Sequence, residues 1–77
     1  MSEAARNRVI TQFDAWRSCV RARSRIVYLL RGAPASRYPR LEALLQYYTT
    51  KSQRLWSQFR RAYQYAVATE RAAARSG

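Results

Sequence analysis

Apolar residues recur at steps of three and four along the first 31 positions, with one longer step of seven. The longer step falls where Arg23 takes the place of an apolar side chain. This spacing is typical of a helix that packs its apolar face against a second helix. The stripe consists of Val9, Phe13, Trp16, Val20, Val27 and Leu30.

A second stripe with the same spacing occupies the second half of the chain and has its own gap, at Ser52. Its members are Leu41, Leu45, Tyr48, Leu55, Phe59, Ala62 and Ala66. The two stripes would cover each other if the chain folded back on itself.

One short stretch separates the two stripes and holds Gly32, Pro34 and Pro39. Gly32 suits the position just past a helix end, and Pro39 suits the first turn of a new helix. The sequence therefore predicts an all-α fold in one domain over 1–77: a helical hairpin with helices over about 2–31 and 39–75 and a Gly/Pro turn over 32–38.

Both predicted helices also carry apolar or aromatic residues away from the stripes. A hairpin protects only one face of each helix, so these residues predict contact with a further partner surface. They are Ile10, Ile26, Leu29, Leu44, Tyr47, Trp56, Tyr63, Tyr65 and Val67. We therefore expect a subunit of a larger assembly.

The chain is strongly basic, with 15 Lys and Arg residues against four acids and a net charge of +11. This excess requires an anionic partner: nucleic acid, an acidic protein surface or anionic lipid. Arginine binds carboxylate and phosphate in bidentate geometry. The candidate partner-binding residues are Arg17, Arg21 and Arg25, spaced to share one helix face, and Arg54, Arg60 and Arg61. A solvated basic face is the alternative.

Two tryptophans, six tyrosines and two phenylalanines give a high aromatic content. Aromatics interleaved with arginine stack on unpaired bases in RNA-binding proteins, and they are also favoured at protein interfaces. At helical spacing, Phe13, Trp16, Trp56 and Phe59 are expected mainly in the core. The interface candidates are Trp56, Tyr47, Tyr63 and Tyr65, with Tyr48 beside them.

No catalytic chemistry is expected. The chain has one cysteine, no histidine and four scattered acids, so neither an internal disulfide nor a metal-ligand cluster is predicted. Cys19 is expected to be a small buried residue. We predict no enzymatic activity, no cofactor, no metal and no small-molecule substrate.

The longest clearly apolar stretch, 26–30, is far shorter than the roughly 20 residues that cross a bilayer. The first helix is Arg-rich, acid-poor and amphipathic, which are properties of a mitochondrial transit peptide, here kept as an internal signal. An ordinary basic helix is the alternative.

The first helix contains the segment Ala15-Trp16-Arg17-Ser18-Cys19-Val20-Arg21, which resembles the LYR motif of a family of small, basic, helical mitochondrial proteins. The resemblance implies a matrix location, a role as accessory subunit or assembly factor of a respiratory complex, and docking to the acidic mitochondrial acyl carrier protein. The matching residues are Trp16 and Arg17 for the motif's tyrosine and arginine, Val20 and Arg21 for the apolar-Arg pair that follows, and Phe59 with Arg60 for a later phenylalanine and basic residue.

Together these features predict a non-catalytic structural subunit of a large, mitochondrial respiratory-chain or related membrane complex. Its partners would be larger protein subunits, with anionic lipid or an acyl carrier protein as further candidates, on the matrix side or at the inner-membrane periphery. A small RNA-binding ribosomal protein that contacts rRNA is the main alternative. An amphipathic membrane-surface protein is a third.

Overall fold

The computed structural model describes residues 2–76, which form two long helices and a tight connection. Helix α1 spans Glu3–Gly32, a 3₁₀ turn spans Ala35–Arg37, and helix α2 spans Tyr38–Ser76. The helices lie antiparallel in a molecule 63 × 15 × 15 Å in extent. The predicted all-α hairpin is confirmed, and each helix end lies one residue from its predicted position. Positions 1 and 77 of the predicted domain lie outside the described residues.

Helix α1 is capped at its start and stopped by a proline at its end. The Ser2 hydroxyl accepts a hydrogen bond from the Ala5 backbone N–H at 3.1 Å, which satisfies one of the free donors of the first turn. At the other end, Ala33 has extended backbone (φ −83°, ψ 147°) because the following Pro34 disfavours the helical conformation.

Gly32 therefore has a different role from the one its type suggested. It is the last residue of α1, and among the described residues no glycine has a positive φ. The prediction that Gly32 lies just past the helix end, the position where left-handed glycines are common, is wrong. The helix continues through Gly32 and ends only at Ala33, where Pro34 favours extended backbone. Pro39 lies in the first turn of α2, as expected, where its missing N–H costs no hydrogen bond.

The row of α1 that faces α2 differs in part from the predicted stripe. Every residue of this row is buried or half-buried, at alternating steps of four and three: Ala5, Val9, Gln12, Trp16, Cys19, Arg23, Ile26 and Leu30. Cys19 and Ile26 are the most buried, at 5% and 7% exposure, and each precedes a predicted stripe residue, Val20 or Val27. The apolar face of α1 is wider than one row, so apolarity alone did not identify its centre.

The facing row of α2 confirms the predicted stripe and extends it through the gap. Its residues are Leu41, Leu45, Tyr48, Ser52, Leu55, Phe59, Ala62 and Ala66. Ser52 is 4% exposed, and its hydroxyl donates to the Thr49 carbonyl at 2.8 Å. The Cys19 thiol donates to the Tyr48 carbonyl at 3.3 Å, so the expectation that Cys19 is buried is confirmed. We call the two facing rows the seam.

The seam is a thin core. Within residues 2–76 only Cys19, Ile26 and Ala66 are buried apolar residues, and no large side chain is fully buried. A small chain has little apolar surface to hide even when it folds compactly. The seam holds the helices together, but it leaves most of the large apolar side chains in contact with solvent.

Candidate functional site

Five aromatic rings from both helices form one continuous cluster in the half of the hairpin away from the turn. Ring centroids lie 5.0 Å apart for Trp16 and Trp56, 5.5 Å for Phe13 and Phe59, and 5.4 Å for Trp56 and Phe59. Tyr63 joins the cluster through Phe59 at 6.2 Å. These separations lie in the range of favourable ring pairs. We call these residues the aromatic cluster.

The aromatic cluster is only half inside the molecule. Trp16 and Phe59 are half-buried members of the seam, whereas Phe13, Trp56 and Tyr63 are 38%, 40% and 51% exposed. The prediction that Phe13 and Trp56 belong mainly to the core is therefore wrong. Each lies one position after a seam residue, and in a two-helix hairpin the facing helix covers only one side of a ring at such a position. The prediction of Trp56 as an exposed interface candidate is consistent with its position.

The six predicted partner-binding arginines are all exposed, and two of them adjoin the aromatic cluster along their helices. Arg17 follows Phe13 by one helical turn, and Arg60 follows Trp56 by one turn, so these two flank the exposed side of the aromatic cluster. The remaining four lie on outward faces of the hairpin: Arg21, Arg25, Arg54 and Arg61.

These arginines have no anionic contact within residues 2–76. None of the six makes an ion pair or a side-chain hydrogen bond with another described residue. Asp14, one turn before Arg17, does not reach it as an ion pair. Exposed guanidinium groups on both sides of an apolar surface are suited to contact a surface that carries carboxylates or phosphates.

The predicted tyrosine candidates differ in how freely their rings are presented. Tyr47 is 56% exposed, but the ammonium group of Lys51 lies 5.6 Å from its ring centroid and the Tyr48 ring packs edge-on at 5.1 Å. Tyr65 is 65% exposed and makes no ring contact within residues 2–76. The contact between Tyr47 and Lys51 follows from their i, i+4 spacing, which places the two side chains on the same face of α2.

A second apolar area lies near the turn. Tyr28, Leu29 and Leu44 are 73%, 46% and 39% exposed. Tyr28 and Leu29 line an open cleft of about 520 Å³ that also includes Pro34 and Leu41. The off-stripe apolar residues of the sequence are therefore exposed, with two exceptions: Ile26 lies buried in the seam, and Val67 is half-buried.

Sequence reasoning treated Arg23 and Ser52 as mere interruptions of the two stripes. In the structure both lie in the seam and line one shallow notch beside the aromatic cluster. The signal that could have identified this site was present, since each stripe lacks one apolar residue near the middle of its helix.

Neither helix in residues 2–76 has the length and apolarity needed to cross a membrane. A comparison of the chain with protein-family models, curated proteins and solved structures finds no match.

Proposed function

We propose that this protein is a non-catalytic structural subunit that docks on larger proteins of a multi-subunit assembly. The observation that carries the proposal is the aromatic cluster, which spans both helices and stays half-exposed at Phe13, Trp56 and Tyr63. A few residues supply most of the binding energy at protein interfaces, and Trp, Tyr and Arg are enriched among them. Covering this surface would also supplement the thin seam.

The mechanism is the addition of a rigid helical surface to a partner. The exposed rings would fill apolar depressions of the partner, and the flanking Arg17 and Arg60 would pair with its carboxylates or with lipid phosphates at its edge. The predicted Arg21, Arg25, Arg54 and Arg61 would serve further contacts on the outward faces. This division of roles makes the edge with the cluster the primary docking surface.

The proposal extends to a mitochondrial respiratory-chain or related membrane complex. The support is the basic amphipathic first helix and the resemblance of the Trp16-Arg17 and Phe59-Arg60 pairs to the LYR-motif family. In the hairpin, Trp16 and Phe59 are both members of the aromatic cluster, and Arg17 and Arg60 flank it. An acidic acyl carrier protein is accordingly a candidate partner, beside the larger subunits.

RNA binding is the second candidate function, and one observation favours it. Tyr65 presents an unengaged ring one helical turn after the exposed Arg61. A free aromatic face next to a guanidinium group is a common platform for an unpaired base. Such binding would weaken steeply with salt, by a log–log slope near −0.7 for each phosphate contacted on a single strand.

Gentle affinity purification of the tagged protein from its native source tests the two functions against each other. One half of the sample is treated with ribonuclease before the wash. We expect protein subunits to remain bound in both halves. Loss of these partners after ribonuclease, together with rRNA in the untreated half, would contradict the structural-subunit proposal and favour the RNA-binding one.

A further inference from the structure

The two gaps in the apolar stripes meet in space. Arg23 of α1 and Ser52 of α2 line the same shallow notch, which has a volume of about 270 Å³. This volume is below the roughly 300–1,000 Å³ of small-molecule pockets, so the notch suits one or two inserted side chains. Its lining residues are Trp16, Val20, Arg23, Ser52, Gln53 and Trp56.

The lining of the notch combines apolar side chains with one cation. The paired rings of Trp16 and Trp56 and the side chain of Val20 supply the apolar part. The hydroxyl of the buried Ser52 already donates a hydrogen bond to the Thr49 carbonyl, so an incoming group does not have to accept one from it. An apolar anchor side chain therefore fits this part of the notch.

Arg23 supplies the charge. Its side chain is half-buried between the helices, yet it has no ion pair or hydrogen bond within residues 2–76. A guanidinium group that has lost part of its hydration gains more from a carboxylate than a fully exposed one does. The exposed Arg17 lies one helical turn before Val20, a lining residue of the notch, and adds a second positive charge nearby.

The ring geometry favours a protein partner over nucleic acid at this notch. Base stacking needs a free aromatic face. The two indoles are tilted by 48° with their centroids 5.0 Å apart, and Trp56 also contacts Phe59 at 35°, so both indoles already pack against other rings of the cluster. An inserted side chain needs only the space that the notch provides.

We propose that the notch is the anchor site for an acidic amphipathic helix of a partner protein. An apolar residue of that helix enters between Val20 and the two tryptophans, and a carboxylate one turn away pairs with Arg23. This inference rests on the proposed structural-subunit function and specifies which part of the surface is occupied and by what chemistry.

Site-specific photo-crosslinking in the full-length protein, expressed in its native source, tests the proposal. p-Benzoylphenylalanine replaces Gln53, which lines the notch, or Gln58, an exposed residue of the same helix on the opposite edge. Mass spectrometry then identifies the crosslinked peptide. We expect Gln53 to yield a peptide with apolar residues at helical spacing interleaved with Asp and Glu, and Gln58 not to yield it.

Arg23→Leu separates anchoring from folding. It completes the apolar stripe of α1, so the melting temperature should stay the same or rise, while the crosslink yield from position 53 should fall by about tenfold. Arg8→Leu removes the same charge from an exposed site of α1 and should leave the yield unchanged. An unchanged yield in Arg23→Leu would overturn the proposed role of this arginine.

The outcomes distinguish the two levels of the proposal. If partner subunits co-purify but position 53 crosslinks to RNA, lipid, a basic segment or nothing, the anchor site is wrong and the structural-subunit function stands. If no protein partner survives ribonuclease, both proposals fail together.

Discussion

The seam has two halves of different character, divided by Cys19 and Ser52. In the half near the turn, which we call the aliphatic half, most facing residues are aliphatic: Ile26 is buried and Leu30, Leu41 and Leu45 are half-buried, with Arg23 and Tyr48 close to the boundary. In the half away from the turn, the seam holds two aromatic rings, Trp16 and Phe59, among small and aliphatic side chains, and the rings of the aromatic cluster extend from it onto one exposed edge, so we call it the aromatic half.

The two halves therefore differ in role. The aliphatic half mainly stabilises the hairpin, and the aromatic half presents exposed rings. The aliphatic half lies beside a short connection, where bringing the helices together costs little conformational entropy. The aromatic half lies farther from the turn, and ring contacts between the two helices join them there. Its large rings keep much of their apolar area in solvent, which is unfavourable unless another surface covers them.

The largest expected effect is on the aliphatic half. Ile26→Ala removes a buried side chain (7% exposed), and we expect a loss of about 3 kcal/mol in the free energy of unfolding. Ile10→Ala, at 50% exposure on the same helix, should change it by less than about 1 kcal/mol. Circular dichroism during urea unfolding measures both. Equal losses for the two variants would show that the helices do not pack through Ile26.

The aromatic half should respond differently, with a moderate loss of stability and a large loss of binding. Trp56→Ala removes a ring that is 40% exposed, so we expect about 2 kcal/mol in the free energy of unfolding and loss of partner subunits from the affinity-purified complex. Tyr28→Ala, at 73% exposure near the turn, is the matched aromatic control and should retain the partners. Retention by Trp56→Ala and release by Tyr28→Ala would place docking at the turn instead.

The boundary between the halves should show a smaller effect. Cys19→Ala removes a 5% exposed thiol and its hydrogen bond to the Tyr48 carbonyl, for an expected loss of about 1 kcal/mol in the free energy of unfolding. The same burial predicts slow reaction of the wild-type thiol with a soluble disulfide reagent until the hairpin unfolds. Fast reaction under native conditions would contradict the packed centre of the seam.

The smallest expected effect is a gain in stability at the turn. A Cβ at Gly32 meets no atom within 4 Å, and its φ is not in the left-handed region, so Gly32→Ala should raise the free energy of unfolding by about 0.5–1 kcal/mol. Ala33→Gly, at the neighbouring extended residue, should lower it. A loss of stability in Gly32→Ala would mean that α1 ends earlier and that Gly32 adopts a positive φ.

The architecture could be predicted from the sequence because both helices carry long periodic stripes and the breakers are confined to one stretch. The centre of the seam on α1 could not, since Val20 and Val27 are as apolar as the residues that face α2. Small Cys19 occupies the seam while Val20 lies beside it. Which row of a wide apolar face becomes central depends on how closely the two helices fit, and one helix alone does not contain that information.

The candidate surface was predictable by residue type but not by arrangement. Exposure of Tyr63 and the six arginines follows from their positions off the stripes, whereas Trp56, which was expected mainly in the core, is 40% exposed. The notch does not, because it requires knowing that the gap at Arg23 on one helix faces the gap at Ser52 on the other. Register between two antiparallel helices is fixed by the turn and by cross-helix pairs such as Trp16 with Trp56.

Hydrogen–deuterium exchange on the assembly and on the released chain tests most directly whether the aromatic half is the docking surface. In the released chain we expect faster amide exchange in the aromatic half than in the aliphatic half. In the assembly, protection should rise mainly around residues 13–16 and 56–63. Identical protection in both states, or a gain confined to residues near the turn, would contradict the assignment.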